Sequence, residues 1–261
     1  MKILVVLMLI LLLVGFLIFP RVGVRRSLSL EQDGFQTHQS ILSPTEVESL
    51  RQMDNKSVKE YLQGHPRVLK VIESLGPGYQ FQDYVFILKK SSIHTCHRDA
   101  NGDLFNEGQM HPSYTMIVFL EGSDNCLEIA PGSHDGRKIN PSGTSGIPCR
   151  AGDLFLFNAN IVHAGAIGPD RLRVQMKVTH QDDRETIKYY ENYNKVADHD
   201  NPLPEFVRGI HQKASCAFPF VADMVQDEVK ESYTGKMSDG QKAYSQFFYG
   251  NQDFYKLNDA F

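Results

Sequence analysis

Leu154-Phe155-Leu156-Phe157, Ile161-Val162-His163 and Arg173-Val174-Gln175-Met176-Lys177-Val178-Thr179 are short apolar or alternating runs, and Ala151-Gly152-Asp153 stands ahead of the first. The third run has period two. Val174, Met176 and Val178 therefore share one face of a strand, while Arg173, Gln175 and Lys177 share the other. The apolar set is expected to pack under the preceding helices, and the polar set to face a cavity. Similar runs lie upstream at 84–88, 114–120 and 127–129, separated by turn clusters such as Pro131-Gly132 and Pro141-Ser142-Gly143. Many short strands with such punctuation point to a mainly β sandwich or barrel with flanking helices.

Before the strands, Ser43-Pro44-Thr45-Glu46 reads as an N-cap with Pro at the first helical position, opening a helix through about Met53. A second helix is expected between Ser57 and Leu75, ended by Gly76-Pro77-Gly78. Beyond His180 the texture turns helical, polar and aromatic, as in Lys188-Tyr189-Tyr190-Glu191-Asn192-Tyr193. Four segments follow from this: 1–20 as a membrane anchor or signal sequence, 21–30 as a juxtamembrane linker, 31–180 as the core with its N-terminal helices, and 181–261 as an extension packing on the core.

The chain has 261 residues, 41% hydrophobic and 22% charged, enough for one large domain with a buried core. A net charge of −4 without a long basic block argues against nucleic-acid binding by phosphate neutralisation. Four cysteines without paired C-x-x-C spacing exclude a small disulfide scaffold and a Cys-type zinc finger. Cys126 and Cys149 are expected to pair if the body is extracytoplasmic. The uncharged run from Ile3 to Phe19 is long enough, at roughly 25 Å as a helix, to serve as a single-pass transmembrane anchor. If it is cleaved instead, the body is secreted or lumenal. Lys2 precedes the run and Arg21, Arg25 and Arg26 follow it, a slight lean toward a cytoplasmic body. Asn55-Lys56-Ser57 is a glycosylation sequon that matters only for a lumenal body.

His97-Arg98-Asp99 lies just past a strand candidate, and residues two apart in extended backbone project to the same side. A third ligand must come from elsewhere, and His163 stands at the end of the 154–163 region. Two imidazoles and one carboxylate on one face leave coordination positions open, the arrangement of non-haem Fe(II) oxygenases. Ten residues after His163 comes Arg173, whose guanidinium can clamp a dicarboxylic cosubstrate through two parallel hydrogen bonds. Arg171 shares its parity and is the rival clamp.

The order of His97-Arg98-Asp99, the 116–120 strand, Asp124 through Pro131-Gly132-Ser133-His134, then Arg150-Ala151-Gly152-Asp153-Leu154-Phe155-Leu156-Phe157, His163 and Arg173 resembles the phytanoyl-CoA dioxygenase-like family of Fe(II)/2-oxoglutarate-dependent oxygenases. Asp33-Gly34-Phe35 and Leu42-Ser43-Pro44-Thr45-Glu46-Val47 resemble that family's opening strand and helix, so the likeness covers roughly residues 30 to 180. It implies a double-stranded β-helix, a jelly-roll or cupin-like barrel. It also implies Fe(II) held by His97, Asp99 and His163, 2-oxoglutarate held by Arg173, and O2 as oxidant. The expected reaction is hydroxylation of a small organic or lipid-like substrate, with release of succinate and CO2. Cys126 and Arg98 replace the family's frequent Gly and Gln. Asp99 argues for a hydroxylase, since related halogenases carry a small residue there.

Other candidates read as structural. His94 gives way to His97 on strand geometry, and His111 and His134 read as loop or turn residues. Asp153 shapes the turn before Leu154, and Cys96 faces opposite to His97 in the core. Phe247-Phe248-Tyr249 reads as packing. Two rival functions remain: a non-catalytic jelly-roll module that binds a metal or ligand, and a zinc-dependent hydrolase or isomerase on the same barrel.

Overall fold

The computed structural model describes residues 10, 27–90, 93–99, 108–135, 143–168, 171–186, 192–198, 200–219 and 238–253. Apart from Ile10, the run from Ile3 to Phe19 lies outside them. Among the described residues no helix is long and apolar enough to cross a membrane.

From Ser27 onward the first elements are a short helix, α1 (Leu30–Asp33), and a strand, β1 (Phe35–His38). Helix α2 (Pro44–Gln52) starts where expected. Ser43 accepts from the Glu46 amide while Glu46 accepts from the Ser43 amide, a reciprocal cap with Pro44 in the first turn. The expected second helix is in fact two, α3 (Asn55–Gly64) and α4 (Pro66–Glu73). Pro66 has no N–H for the helix before it but fits the first turn of a new one, so the helix breaks at His65.

Strands β2 (Tyr79–Leu88), β3 (Tyr114–Phe119), β4 (Ser123–Ile129), β5 (Ser145–Cys149), β6 (Leu154–Asn158), β7 (His163–Gly165), β8 (Arg173–His180) and β9 (Tyr193–Ala197) form two sheets. The larger has the order β1-β6-β3-β8-β2-β9 and the smaller β5-β4-β7. Pairing is antiparallel except between β2 and β9. The fold is mainly β, with helices α2–α4 on the outer side of the larger sheet. The strand at β9 departs from the helical texture expected there: residues from Tyr193 onward alternate buried and half-buried and add an edge strand beside β2.

Register sorts the two faces of the larger sheet. Val174, Met176, Val85, Ile87, Met116 and Val118 pack with Val47, Leu50, Val58, Leu62, Val68 and Val71 of the helices in one core. The opposite face meets the smaller sheet, where Phe35, Ile117, Phe119, Phe155 and Phe157 pack against Leu127, Ile129 and Ile147. Arg173, Gln175 and Lys177 lie on this inner face, directly opposite Phe119, Ile117 and Thr115 of β3. The period-two reading of β8 therefore holds in space.

The turn before β6 is fixed by specific contacts. Gly152 sits at φ +93°, and its carbonyl accepts from the Leu42 amide at 3.0 Å. Asp153 accepts from the amides of Ser40 at 2.9 Å and Arg150 at 2.8 Å, the turn-shaping role the sequence implied. A Cβ at Gly152 would run into the Leu42 carbonyl oxygen. We expect Gly152→Ala to destabilise the protein by on the order of 1–3 kcal/mol, from strain at a left-handed position plus the displaced contact. Urea unfolding followed by circular dichroism measures it, and an unchanged midpoint would remove the constraint.

Candidate metal centre

His97 and His163 are brought together by backbone pairing between segments far apart in sequence. The His97 amide donates to the His163 carbonyl and the His163 amide to the His97 carbonyl, both at 2.9 Å. Residues paired in this way project to the same side of a sheet, and their imidazole centroids lie 4.4 Å apart. Asp99, two residues on, shares that side, its own amide donating to Ala159 O at 2.8 Å.

The three ligand atoms converge. Nε2 of His97 lies 3.6 Å and Nε2 of His163 3.7 Å from Oδ1 of Asp99. Two metal–ligand bonds of about 2.2 Å can span up to about 4.4 Å, so one ion reaches all three. The hydrogen bonds around them leave the right atoms exposed. Nδ1 of His97 donates to Thr95 O at 2.8 Å, and Nδ1 of His163 to Ile161 O at 3.0 Å. A carbonyl can only accept, so each ring carries its proton on Nδ1 and turns the Nε2 lone pair toward Asp99. On the carboxylate, Oδ2 accepts from Thr115 Oγ1 at 2.5 Å and pairs with Lys177 Nζ at 2.7 Å, leaving Oδ1 to the imidazoles. The donor set and its outer hydrogen bonds fit a transition-metal ion such as Fe(II).

The electrostatics agree. Burial works against charge on Asp99, but Lys177, then His163 and His97, outweigh it and hold the carboxyl well below the usual range. Burial, opposed by Asp99, holds His163 down at about 3, so the ring is neutral and able to ligate at physiological pH. Arg173 is buried on the same face of β8, and burial followed by the nearby charge of Arg171 lowers it to about 10, still cationic. Its Nη1 donates to Cys126 O at 3.4 Å, its Nε has no partner, and among the described residues no carboxylate pairs with it. Arg171, the rival clamp, is only half-buried and precedes the strand.

Residues judged structural lie elsewhere. His94 stacks near His211 and Tyr249, at centroid distances of 5.8 and 5.4 Å. Arg98 turns away from the site and donates from Nε to Asn160 O at 3.0 Å. A second group, His111, His180 and Asp183, also brings potential ligand atoms within 4.8 Å of one another. There, however, both Asp183 oxygens hold backbone amides, of Met110 and His111. His180 spends its nitrogens on Pro77 O and the Asp182 amide. Its lone pairs already serve the fold.

Sequence reasoning placed Lys177 on the cavity face but gave it no partner, and it did not single out Thr115. The clue was available: a lysine in an alternating strand whose other face is apolar must find a counter-charge inside. Cys96, read as core packing, is instead bonded to Cys216, while Cys126 and Cys149 form the second disulfide.

No family model matches this chain, and no curated protein does. Several solved structures resemble it. The non-heme α-ketoglutarate-dependent epimerase SnoN from nogalamycin biosynthesis is 20% identical, covering 58% of this chain and 79% of that one, at TM-score 0.48. EvdO2 from Micromonospora carbonacea var. aurantiaca, complexed with 2-oxoglutarate, is 14% identical over 62% of this chain and 93% of that one, at TM-score 0.43. HygX from Streptomyces hygroscopicus with iron bound is 16% identical over 58% and 84%, at TM-score 0.45. At such distance the likeness carries no argument about chemistry, which rests on the geometry above.

Lys177→Met leaves the Asp99 carboxylate buried without its ammonium partner. We expect a loss of about 3–5 kcal/mol in the chelator-treated protein at neutral pH. Adding Asp99→Leu removes the orphaned charge and should recover most of that loss. Guanidinium unfolding of the single and double variants tests the pair, and equal stability of the parent and Lys177→Met would show that it is not coupled.

Proposed function

We propose that this chain is an Fe(II)/2-oxoglutarate-dependent dioxygenase of the phytanoyl-CoA dioxygenase-like type, hydroxylating a small organic or lipid-like substrate on a jelly-roll barrel. One observation carries the reading. Nε2 of His97, Nε2 of His163 and Oδ1 of Asp99 converge on one point, and Arg173, buried and without a carboxylate partner among the described residues, stands on the face of β8 that also carries Lys177, the partner of Asp99.

His97, Asp99 and His163 would hold the metal, and their count leaves positions for a chelating keto acid and dioxygen. Bound Fe(II) would supply the coupling of 2-oxoglutarate decarboxylation, to succinate and CO2, with oxidation of a C–H bond. The protein's own work is positional. Lys177 and Thr115 occupy Oδ2 of Asp99 and so present a single oxygen to the ion. The bonds to Thr95 O and Ile161 O fix the tautomer and tilt of both rings. Arg173 lies four residues from Lys177 on the same face of β8, roughly 13 Å away along the strand. A diacid chelating at one end and pairing with a guanidinium at the other fits that polarity. The phenylalanines of the larger sheet, packed against Leu127, Ile129 and Ile147 of the smaller one, exclude water from the neighbouring core.

The rival reading, a non-catalytic binding module, is favoured by an Arg173 pointing to solvent. Its burial supports the enzyme instead. The segment from Ile3 to Phe19 makes this a membrane-anchored enzyme in our reading, or a secreted one if the segment is removed.

The test is anaerobic loading with Fe(II), then measurement of succinate formed from 2-oxoglutarate on admitting air. Turnover should vanish in His97→Ala together with iron binding. Arg173→Gln should keep the iron and raise the KM for 2-oxoglutarate about ten- to a hundredfold, the worth of a charge-assisted hydrogen bond. Failure of the parent to bind iron, or succinate release indifferent to both substitutions, would retire the proposal.

A further inference from the structure

The metal reading leaves the cysteines and the sequon unexplained, and together they bear on where the body matures. All four cysteines are paired, as Cys96–Cys216 and Cys126–Cys149. Their Cα separations, 4.8 and 5.8 Å, fall in the range that disulfides span without backbone movement. The first closes a sequence separation of 120 residues, so it joins parts that meet only once the domain is assembled. Both pairs are buried. Such bonds persist in secreted, lumenal and periplasmic settings and are rare where glutathione and thioredoxin keep thiols reduced.

The sequon gives a second and independent sign. Asn55 opens α3 and is half-buried, and Lys56 beside it is exposed. The buried side of that helix, Val58 and Leu62, packs on the outer core, whereas the metal centre lies beyond the opposite, inner face of the larger sheet, where Lys177 reaches Asp99. A glycan on Asn55 therefore meets neither the core nor the cavity. Against these stands only the charge lean of the N-terminal segment, Lys2 before it and Arg21, Arg25 and Arg26 after it. A difference of about one positive charge, once the α-amino group is counted, is a weak orienting signal.

We propose that the body of this protein folds in an oxidising, secretory-type compartment, where Cys96–Cys216 and Cys126–Cys149 form and Asn55 accepts an N-linked glycan. Each bond forms by thiol–disulfide exchange. A cysteine thiolate attacks a disulfide of a protein thiol oxidoreductase and releases one of its thiolates. The partner cysteine then displaces the second, so two protein thiols lose two protons and two electrons and the oxidoreductase disulfide is reduced to a dithiol. The glycan joins the Asn55 amide nitrogen by displacement at the anomeric carbon of a lipid-linked glycosyl diphosphate: the new C–N bond forms as the C–O bond to the diphosphate breaks, the lipid diphosphate leaves, and the amide nitrogen gives up one proton. This assignment does not rest on the oxygenase reading and stands or falls without any iron.

The experiment expresses the full chain in a eukaryotic cell line. Free thiols are blocked with N-ethylmaleimide in intact cells before lysis, and non-reduced peptides are mapped by mass spectrometry. Expected are two linked peptide pairs containing Cys96 with Cys216 and Cys126 with Cys149, none of the four cysteines alkylated. Also expected is a gel shift abolished by peptide N-glycosidase and by Asn55→Gln. Alkylation of all four cysteines in the correctly folded chain overturns the compartment. Protected cysteines with no glycosidase-sensitive shift overturn Asn55 as the acceptor.

Discussion

A pair of backbone hydrogen bonds between His97 and His163 organises the centre of this molecule. The segment carrying His97 belongs to no extended strand and joins the smaller sheet through this bridge to β7, helped by the Gly165 amide donating to Ile93 O at 2.6 Å. Without it, two imidazoles that stand far apart in sequence have no reason to share a side, and Asp99 has nothing to converge upon. The bridge is backbone chemistry, indifferent to side-chain identity. What the sequence adds is the placement of His, x, Asp on one strip and His opposite it, so that the pairing delivers three ligand atoms at once.

A carboxylate beside two imidazoles in a buried place has two stable options: to pick up a proton, or to find cations. Here it finds them. Lys177 sits opposite Thr115 on β3, and both reach the same carboxylate oxygen. The consequence is asymmetric. Oδ2 is saturated by an ammonium and a hydroxyl, whereas Oδ1 faces only lone pairs, a local excess of donors that a divalent cation relieves. Arg173 presents the complementary imbalance further along β8: a buried positive charge that, among the described residues, is hydrogen-bonded only to a carbonyl. Burying an unmatched guanidinium is costly, and folds retain such groups where an anion arrives to complete them. One strand thus supplies both buried cations of the cavity, Arg173 and Lys177, because alternate positions of β8 face inward while Val174, Met176 and Val178 anchor it to the core on the other side.

Much of this was legible before any coordinates. Period two in 173–179 separated the two faces of β8, because one face meets helices and the other a polar interior. The spacing of His97 and Asp99 needed only extended backbone, and the capping residues around Ser43 announced a helix start locally. What stayed hidden was tertiary. The partner of Lys177 depends on the register between β3 and β8, which no short window of sequence encodes. The pairing of Cys96 with Cys216 spans 120 residues and is invisible to spacing rules. Strand β9 escaped notice because Tyr-Asn-Lys-Val-Ala mixes polar and apolar residues in only five positions, following an aromatic, lysine-bearing stretch that looks helical. Its buried Lys195 packs over the Phe86 ring, a contact that exists only once β2 and β9 lie side by side.

The same tertiary logic gives the C-terminal extension a part in the site, although the three ligand atoms come from elsewhere. Ligands on a segment with a single β-bridge hold their geometry only if the backbone between them is fixed from the other side. Alternation supplies the means: with His97 and Asp99 turned inward, Cys96 and Arg98 turn outward, and each is tied. Cys96 is bonded to Cys216 of α5 (Glu205–Ala217), and its amide donates to Ser215 Oγ at 2.8 Å. Arg98 donates to Asn160 O, and just upstream Thr95 Oγ1 lies 2.7 Å from the hydroxyl of Tyr249 in α6 (Asp239–Tyr249). The inward residues need to be ligands and the outward ones need to be anchors, and neither set can be moved by one position without exchanging the two roles. That constraint accounts for the order Cys-His-Arg-Asp as a unit. Ligand geometry in this protein is set as much by what holds the segment from outside as by the atoms that face in.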